Sequence, residues 1–376
     1  MSRVNHFVTF GWRFRALAVA MLFLNLLLVG PVLGQKVAKY GADFLAGGVG
    51  ARALGMGGAH IAVASDVHAG YWNPAGLEGI TYPEISYMHA ERFSGVVTFD
   101  FAGLAWPLSD ISTIGVSFYR SGVNDIKNTL DAWDSERNAP KPNPEDFITS
   151  FSAADYALFF GYGRTISRKV RIGVTGKIIR RTIGDFADAW GYSLDVGLQY
   201  RSRNLLLGIN AQDISTMLQS WSVNDAALVN IRDVFGDELP KGGTELVLPV
   251  LRLGSGYMIH YTESELVLAL DMDVAFDGQQ AQAINLGGAS FHPRLGAEYT
   301  YKEVVALRGG LSRIQHSTKD GWDLTPSVGA GFRIKQIQID YGFGNFAGLI
   351  SELGFSHRIS LKLSVMKDRF RRAKSE

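Results

Sequence analysis

The chain carries few residue patterns that could support catalysis or hold a metal ion. Its eight histidines are scattered, and none forms the HExxH spacing that places two histidine ligands on one helix face. There is no GxSxG sequence to form the strained turn that exposes a nucleophilic serine. Cysteine is absent, which excludes a cysteine nucleophile, thiolate metal sites, disulfides and a lipid-modified cysteine. The sequence therefore predicts a protein that is not an enzyme, without metal or cofactor.

The sequence also argues against dinucleotide binding and nucleic-acid binding. The glycine-rich run over 50–58 superficially resembles a dinucleotide-binding loop, but no strand precedes it and no βαβ unit follows. Lysine and arginine number 37 against 36 aspartates and glutamates, so the chain lacks the basic excess of a nucleic-acid-binding protein. We expect no nucleic-acid partner.

Charged side chains fall on one face of segments that alternate apolar and polar residues. In 264–276, leucines occupy alternate positions and Asp271 and Asp273 occupy the opposite face. If the apolar faces contact lipid, the polar faces line the inside of a barrel, where each charge must be paired or hydrated. We expect Glu298 to pair with Arg308 on a neighbouring strand. The predicted lumenal charges are Arg171, Lys177, Arg252, Asp271, Asp273, Glu298, Arg308, Arg333, Asp340 and Arg358, together with Arg181, Asp195 and Lys362.

These lumenal charges allow two interpretations. They could form a structural ladder that holds a plug inside the barrel, or they could line the path of a ligand or ion.

The elements that position these charges follow an export signal. Arg3, Arg13 and Arg15 precede an apolar run over 16–29, Gly-Pro ends that run, and residues 32–34 offer a cleavage site. Residues 1–34 are therefore predicted to be a cleaved signal peptide. A single N-terminal anchor helix is the alternative.

From about residue 84 onward the hydrophobic period is two, which is typical of strands. The candidate strands are longer than the roughly 5–6 residues usual in soluble proteins. Short links alternate with long ones, the longest being 124–152 and 214–244, and this parity is typical of outer-membrane barrels. The predicted fold is all-β, a transmembrane antiparallel β-barrel over 84–365. The fourteen candidate strands are 84–93, 95–107, 111–123, 153–167, 170–183, 187–201, 204–213, 245–260, 264–276, 293–302, 304–313, 324–334, 336–345 and 352–365.

Two further segments flank the barrel. Residues 35–83 are rich in glycine and alanine, include a short helix candidate at 58–65, and are too few to fold alone, so we expect a lumenal plug or hatch. Pro74 should end the hatch helix and Asn73 should cap local backbone groups. Glycines on the inner strand faces would leave room for the plug, or they would merely permit curvature. The basic tail 366–376 is predicted to be solvated in the periplasm, with docking as the alternative.

The N-terminal segment resembles the signature of the PorV/PorQ family. The resemblance rests on Ala-Asp-Phe-Leu at 42–45, Gly-Ala-Arg-Ala-Leu-Gly-Met-Gly-Gly-Ala at 50–59, Asp66, and Tyr-Trp-Asn-Pro-Ala-Gly-Leu at 71–77. Weaker matches run along the strands as far as 357–361. The resemblance implies a FadL-like fourteen-stranded outer-membrane barrel whose N-terminal hatch plugs the lumen. The hatch motif residues it indicates are Arg52, Met56, Gly57, Gly58, Asn73 and Pro74.

The resemblance further implies a component of the type IX protein secretion and attachment pathway, in the outer membrane of a Gram-negative bacterium. Besides outer-membrane lipid, its partners would be other secretion-system proteins or exported cargo. Loops 124–152 and 214–244 would provide the contact surface, with Trp221 and Phe235 as aromatic anchors, unless loop 214–244 folds back as a lid. The alternative function is a FadL-like transporter of hydrophobic small molecules, with a hydrophobic ligand in the lumen.

Overall fold

In a computed structural model, the described residues are 36–37, 43–134, 136–137, 139–215, 217–228, 242–276, 284–286, 289–317, 321–345 and 355–366. The predicted signal peptide 1–34, the loop residue Phe235 and all but the first residue of the tail 366–376 lie outside these ranges.

Fourteen antiparallel strands form a closed barrel, because β14 pairs back onto β1 from Glu84↔Ser364 to Arg92↔Ser356. Each other strand pairs with its neighbours in chain order. The predicted fold class, a transmembrane antiparallel barrel of fourteen strands, is confirmed. The strands are β1 (Glu84–Arg92), β2 (Val97–Ser109), β3 (Ser112–Asn128), β4 (Thr149–Ser167), β5 (Val170–Ile183), β6 (Ala187–Arg201), β7 (Leu205–Gln212 and Met217–Val223), β8 (Gly243–Val247 and Val250–His260), β9 (Ser264–Ala275), β10 (Ala289–Tyr301), β11 (Val305–Ser317), β12 (Gly321–Ile334), β13 (Ile337–Asn345) and β14 (Phe355–Ser364).

The predicted loop 214–244 begins and ends as strand. After an interruption at 213–215, β7 resumes and pairs with β6 from Leu218↔Tyr192 to Val223↔Ala187, and with the first part of β8. Pairing satisfies backbone groups that a loop would leave to solvent. Loop 124–152 is shortened in the same way, since β3 reaches Asn128 and β4 starts at Thr149.

The outer face of the barrel is apolar and the inner face is not. Leu268 and Leu361 are 45% and 47% exposed, whereas Asp271 and Lys362 on the same strands are 1% and 7% exposed. Since successive side chains of a strand point to opposite faces, this alternation gives the wall one surface suited to lipid and another facing the lumen. The ends joined by short turns will be called the short-turn end, and the opposite ends the long-loop end.

Residues 43–83, here called the plug, contain short helices rather than strands. These are α1 (Asp43–Ala46), α2 (Ala51–Gly55), α3 (Ala69–Trp72) and a 3₁₀ helix (Pro74–Gly79). The prediction of a helix at 58–65 was wrong, since this segment forms turns. The amides of His60 and Ile61 donate instead to the Asp271 carboxylate of β9, at 2.6 and 2.8 Å. None of the helices in the described ranges is long and apolar enough to cross a membrane.

The remaining short elements are strands of two or three residues and short 3₁₀ helices. They are the two-residue strands Lys36–Val37, Trp133–Asp134 and Ala139–Pro140, the strand Ile284–Leu286, and the 3₁₀ helices Leu130–Ala132, Pro144–Phe147 and Asp225–Leu228.

Candidate functional site

The plug is surrounded by the inner wall, and wall glycines make the close fit possible. A Cβ at Gly173 of β5 would overlap the backbone at Pro74, and one at Gly310 of β11 would overlap Gly57. Each of the strands β2 to β8 and β10 to β13 has at least one inner-face glycine whose added Cβ would come within 4 Å of a plug atom. These glycines therefore leave room for the plug, so curvature alone does not explain them.

The motif residues of the plug lie at its contacts with the wall. Met56 is fully buried, and Gly57 and Gly58 both have positive φ (64° and 78°), which favours glycine. Asn73 ends α3 and caps the 3₁₀ helix, because its Oδ1 accepts from the Ala75 amide at 3.2 Å. Its Nδ2 also donates to carbonyls of the plug and of β6 and β7. Asn73 thus joins the plug to the wall, in addition to the cap expected from the sequence.

A row of plug carbonyls accepts hydrogen bonds from side chains. The Tyr119 hydroxyl of β3 donates to the Phe44 carbonyl at 2.9 Å, and the Tyr71 hydroxyl donates to the Leu45 carbonyl. The carbonyls of 47 and 48 accept from Arg358 of β14, at 2.9 and 3.1 Å, and that of 49 accepts from the Trp72 indole at 2.9 Å. Arg358 is 1% exposed, so its charge is solvated by plug carbonyls inside the barrel.

Charged groups connect the plug to the wall at the short-turn end. Arg52 of α2 donates to Glu298 of β10 at 2.6 Å, and Arg308 of β11 donates to the same carboxylate at 2.5 Å. Arg308 also donates to Asp340 of β13 at 2.8 Å. The Glu298–Arg308 pair predicted from neighbouring strands is therefore present, and it extends to the plug. This set, Arg52, Glu298, Arg308 and Asp340, will be called the latch.

A second cluster ties the plug to β14 beside the latch. Lys362 of β14 reaches Asp66 at 3.1 Å, and the His68 ring lies 3.2 Å from the same carboxylate and 3.1 Å from the Ser86 hydroxyl. Burial opposes ionisation of Asp66, but Lys362 and His68 hold the pKa of its carboxyl well below its usual range. Burial lowers the pKa of His60, elsewhere in the plug, to about 3, so this imidazole is neutral at pH 7.

The other predicted lumenal charges also have polar partners on the inner face. Lys177 lies 2.8 Å from Asp195 and 2.6 Å from Asp213, with all three buried. Further contacts are Arg171 to Glu78 of the plug at 3.0 Å, Arg294 to Asp273 at 2.5 Å, Arg252 to Asp273 at 3.7 Å, Arg181 to Asp155 at 2.7 Å, and Arg333 to Gln338 at 2.7 Å. These contacts favour the structural-ladder interpretation.

The charges are not spread evenly around the lumen. The inner faces of β2 to β5 carry five large buried side chains that are aromatic or aliphatic, beside charged ones such as Lys177 and Arg181: Phe99, Phe101, Tyr119, Phe159 and Ile179. Their rings meet those of the plug, as in the Tyr71–Phe159 and Phe44–Tyr119 pairs at 6.0 and 6.2 Å. These five residues will be called the aromatic sector.

At the short-turn end, the lumen contains a cavity of about 890 Å³. Its lining is mostly polar and includes the latch arginines, Asp66, Arg201 and Lys362. Among the described residues, no three histidine, aspartate or glutamate side chains are placed to hold a metal ion.

The two predicted docking anchors are placed differently. Trp221 lies in the resumed part of β7, where its indole donates to Glu245 at 3.0 Å and its ring contacts the Arg181 guanidinium. It is therefore a strand residue rather than a loop residue. Phe235 lies outside the described residues, so docking by this pair stays a prediction.

Several residues of the site escaped the sequence analysis. Arg294 lies on the same inner face of β10 as Glu298, where it pairs with Asp273, yet it is missing from the predicted lumenal charges. Tyr119 and Asp213 gave no signal, because their partners lie on the plug and on β5.

Comparison with known proteins gives a likeness in fold. The toluene transporter TbuX of Ralstonia pickettii has a TM-score of 0.52 at 12% identity, over 84% of this chain and 98% of that one. The toluene transporter TodX of Pseudomonas putida and the monoaromatic hydrocarbon channel CymD each give 0.51 at 13% identity, over 84% of this chain and 97% of theirs. No family model and no curated protein matches the chain. The resemblance to PorV/PorQ thus remains one of sequence motifs.

Proposed function

We propose that the protein is an outer-membrane channel for small hydrophobic molecules, with aromatic compounds as the favoured substrates. The observation that carries this proposal is the aromatic sector, whose rings offer a hydrophobic ligand apolar contacts in a lumen otherwise rich in charge. The fold likeness to two toluene transporters and a monoaromatic hydrocarbon channel supports it. Short turns would face the periplasm, as in other outer-membrane barrels.

In this proposal the plug closes the lumen by packing against the aromatic sector, and the substrate contacts these rings when the plug moves away from them. A hydrocarbon has no hydrogen-bonding group, so it would bind to the aromatic sector through ring faces and edges. A PorV/PorQ-like role in type IX secretion remains a prediction from the motifs, with no observation of the structure in its favour.

Uptake of radiolabelled toluene by intact cells tests the proposal. Cells expressing the protein should take up toluene faster than cells with an empty vector, and replacing Phe101 and Phe159 by Leu should slow toluene uptake about fivefold. Ring–ring contacts contribute ~0.5–1.5 kcal/mol each beyond buried area, and leucine retains most of the apolar volume. Uptake of heptane should change little, because it makes no such ring contacts.

The matched control replaces two outward-facing rings, Phe118 and Phe160, by Leu. The control should insert and transport like the wild type. The aromatic sector is not a transport path if the wild type fails to raise uptake over empty-vector cells. The same conclusion follows if the Phe101/Phe159 variant and the Phe118/Phe160 variant slow uptake equally.

A further inference from the structure

Four exposed basic residues lie together at the short-turn end of β4 to β7. Arg168 and Lys169 form the β4–β5 turn, Arg203 lies in the β6–β7 turn, and Arg164 lies on β4 just before its end. The two turns are adjacent, because the Arg201 amide donates to the Lys169 carbonyl at 2.7 Å. We name Arg164, Arg168, Lys169 and Arg203 the basic rim.

The basic rim is not neutralised by nearby acids. Within the described part of the chain, no ion pair joins any of its four residues to a carboxylate, and the adjoining β2–β3 turn carries a single acid, Asp110. The opposite side of the same end differs, since Lys302 pairs with Glu263 at 3.2 Å and Glu303 adds a further acid. Positive charge is therefore concentrated over one arc.

Arg164 determines which partner suits this surface. Along β4, Phe160, Tyr162, Arg164 and Ile166 are exposed while the intervening inner-face residues are more buried, so Arg164 projects from the lipid-facing wall. It lies two residues beyond Tyr162, about 7 Å along the strand. Tyrosines on the outer wall mark the membrane–water interface of such barrels. Its place beside an interfacial tyrosine on the outward face puts Arg164 within reach of lipid headgroups.

We propose that the basic rim binds the phosphate headgroups of anionic phospholipids in the periplasmic leaflet. The guanidinium of Arg164 would approach a phosphate from the lipid side, since arginine matches phosphate geometry with paired donors. Arg168, Lys169 and Arg203 would supply charge from the turns just beyond it. This binding would fix the depth and tilt of the barrel on the β4–β7 side, whatever molecule crosses the lumen.

Native mass spectrometry of the full chain in neutral detergent tests the proposal, by titration with phosphatidylglycerol and, in parallel, phosphatidylcholine. The wild type should prefer phosphatidylglycerol, and that preference should fall as salt rises. Each cation of the basic rim that contacts a headgroup should contribute about fivefold to anionic-lipid affinity, from ~1 kcal/mol. The double variant Arg168→Gln/Arg203→Gln should therefore bind phosphatidylglycerol about 25-fold more weakly.

The matched control is Lys302→Gln/Lys335→Gln, which removes the same charge from other short turns and should weaken binding less than threefold. Arg164→Gln alone should weaken it about fivefold. Folding of every variant is checked by the gel mobility of unheated samples. Equal losses in the two double variants, or no preference for phosphatidylglycerol in the wild type, would overturn the proposal. No effect of Arg164→Gln would overturn it too, and would indicate an acidic protein partner.

Discussion

Removing the central carboxylate of the latch should destabilise the protein far more than removing an exposed one. Glu298 is 5% exposed and is the shared acceptor of Arg52 and Arg308. In Glu298→Gln, Arg308 keeps Asp340, but Arg52 loses its carboxylate partner. Taking one partner from a buried pair leaves an uncompensated charge and costs ~3–5 kcal/mol. We expect a loss of this size in the free energy of unfolding.

Reversible urea unfolding in lipid vesicles, followed by tryptophan fluorescence, measures this loss. The control is Glu263→Gln, since the Glu263–Lys302 pair is about half exposed on both sides. An exposed pair contributes ~0–1 kcal/mol, so this variant should unfold close to the wild type. Adding Arg52→Met to Glu298→Gln should restore part of the stability, because the unpaired cation is then gone.

A single Arg52→Met substitution tests whether the latch stabilises the plug or the barrel. Arg52→Met alone leaves Arg308 bound to both of its carboxylates, so the barrel should retain its stability while protease reaches the plug more easily. The reasoning about the latch fails if Glu298→Gln lies within 1 kcal/mol of the wild type, or if it matches Glu263→Gln.

Three further predictions concern the wall, the membrane face and the plug. Gly310→Ala should destabilise the folded barrel, because its Cβ would overlap the plug backbone, whereas Gly309→Ala next to it faces open space and should be tolerated; equal unfolding midpoints would contradict the close fit. Leu268→Arg or Leu361→Arg should each cost ~2–4 kcal/mol near the bilayer midplane, and normal insertion and urea stability would show that these faces do not contact lipid. His60 has a pKa of about 3 when folded, against about 6.5 for a histidine exposed to water, so the folded state loses stability as pH falls below about 6.5. Between pH 7 and pH 5 the wild type should lose ~2 kcal/mol more than His60→Asn, and parallel pH profiles would refute that assignment.

Hydrophobic alternation alone determined most of the barrel. Because a strand repeats every two residues, one apolar face fixes the direction of every other side chain on it. The predicted strands 170–183 and 187–201 coincide with β5 and β6, and the predicted faces put Leu268 outward and Asp271 inward. Pairing of Glu298 with Arg308 followed from the same periodicity, since adjacent strands bring opposite residues together.

Local sequence patterns mispredict secondary structure where side chains distant in sequence bind backbone groups or neighbouring residues. The 58–65 segment has a helix-like composition, yet its amides bind Asp271, which is 211 positions from His60. The alternation in the sequence breaks after Gln212, so the pattern predicts a loop where the structure has the second part of β7. Lys177 of β5 holds Asp213 at that interruption, and the strand then resumes to include Trp221.

Only the tertiary structure decided what the lumen contains. Sequence left it open whether the inner glycines admit a plug or permit curvature, and in the structure a Cβ at Gly173 or Gly310 would overlap the backbone of residues 43–83. Arg52 reaches Glu298 across 246 positions, and nothing in the non-alternating plug indicates its partner. The physical reason is that strand periodicity fixes directions relative to the wall, whereas the contacts of an irregular segment depend on how it packs against all the strands that enclose it.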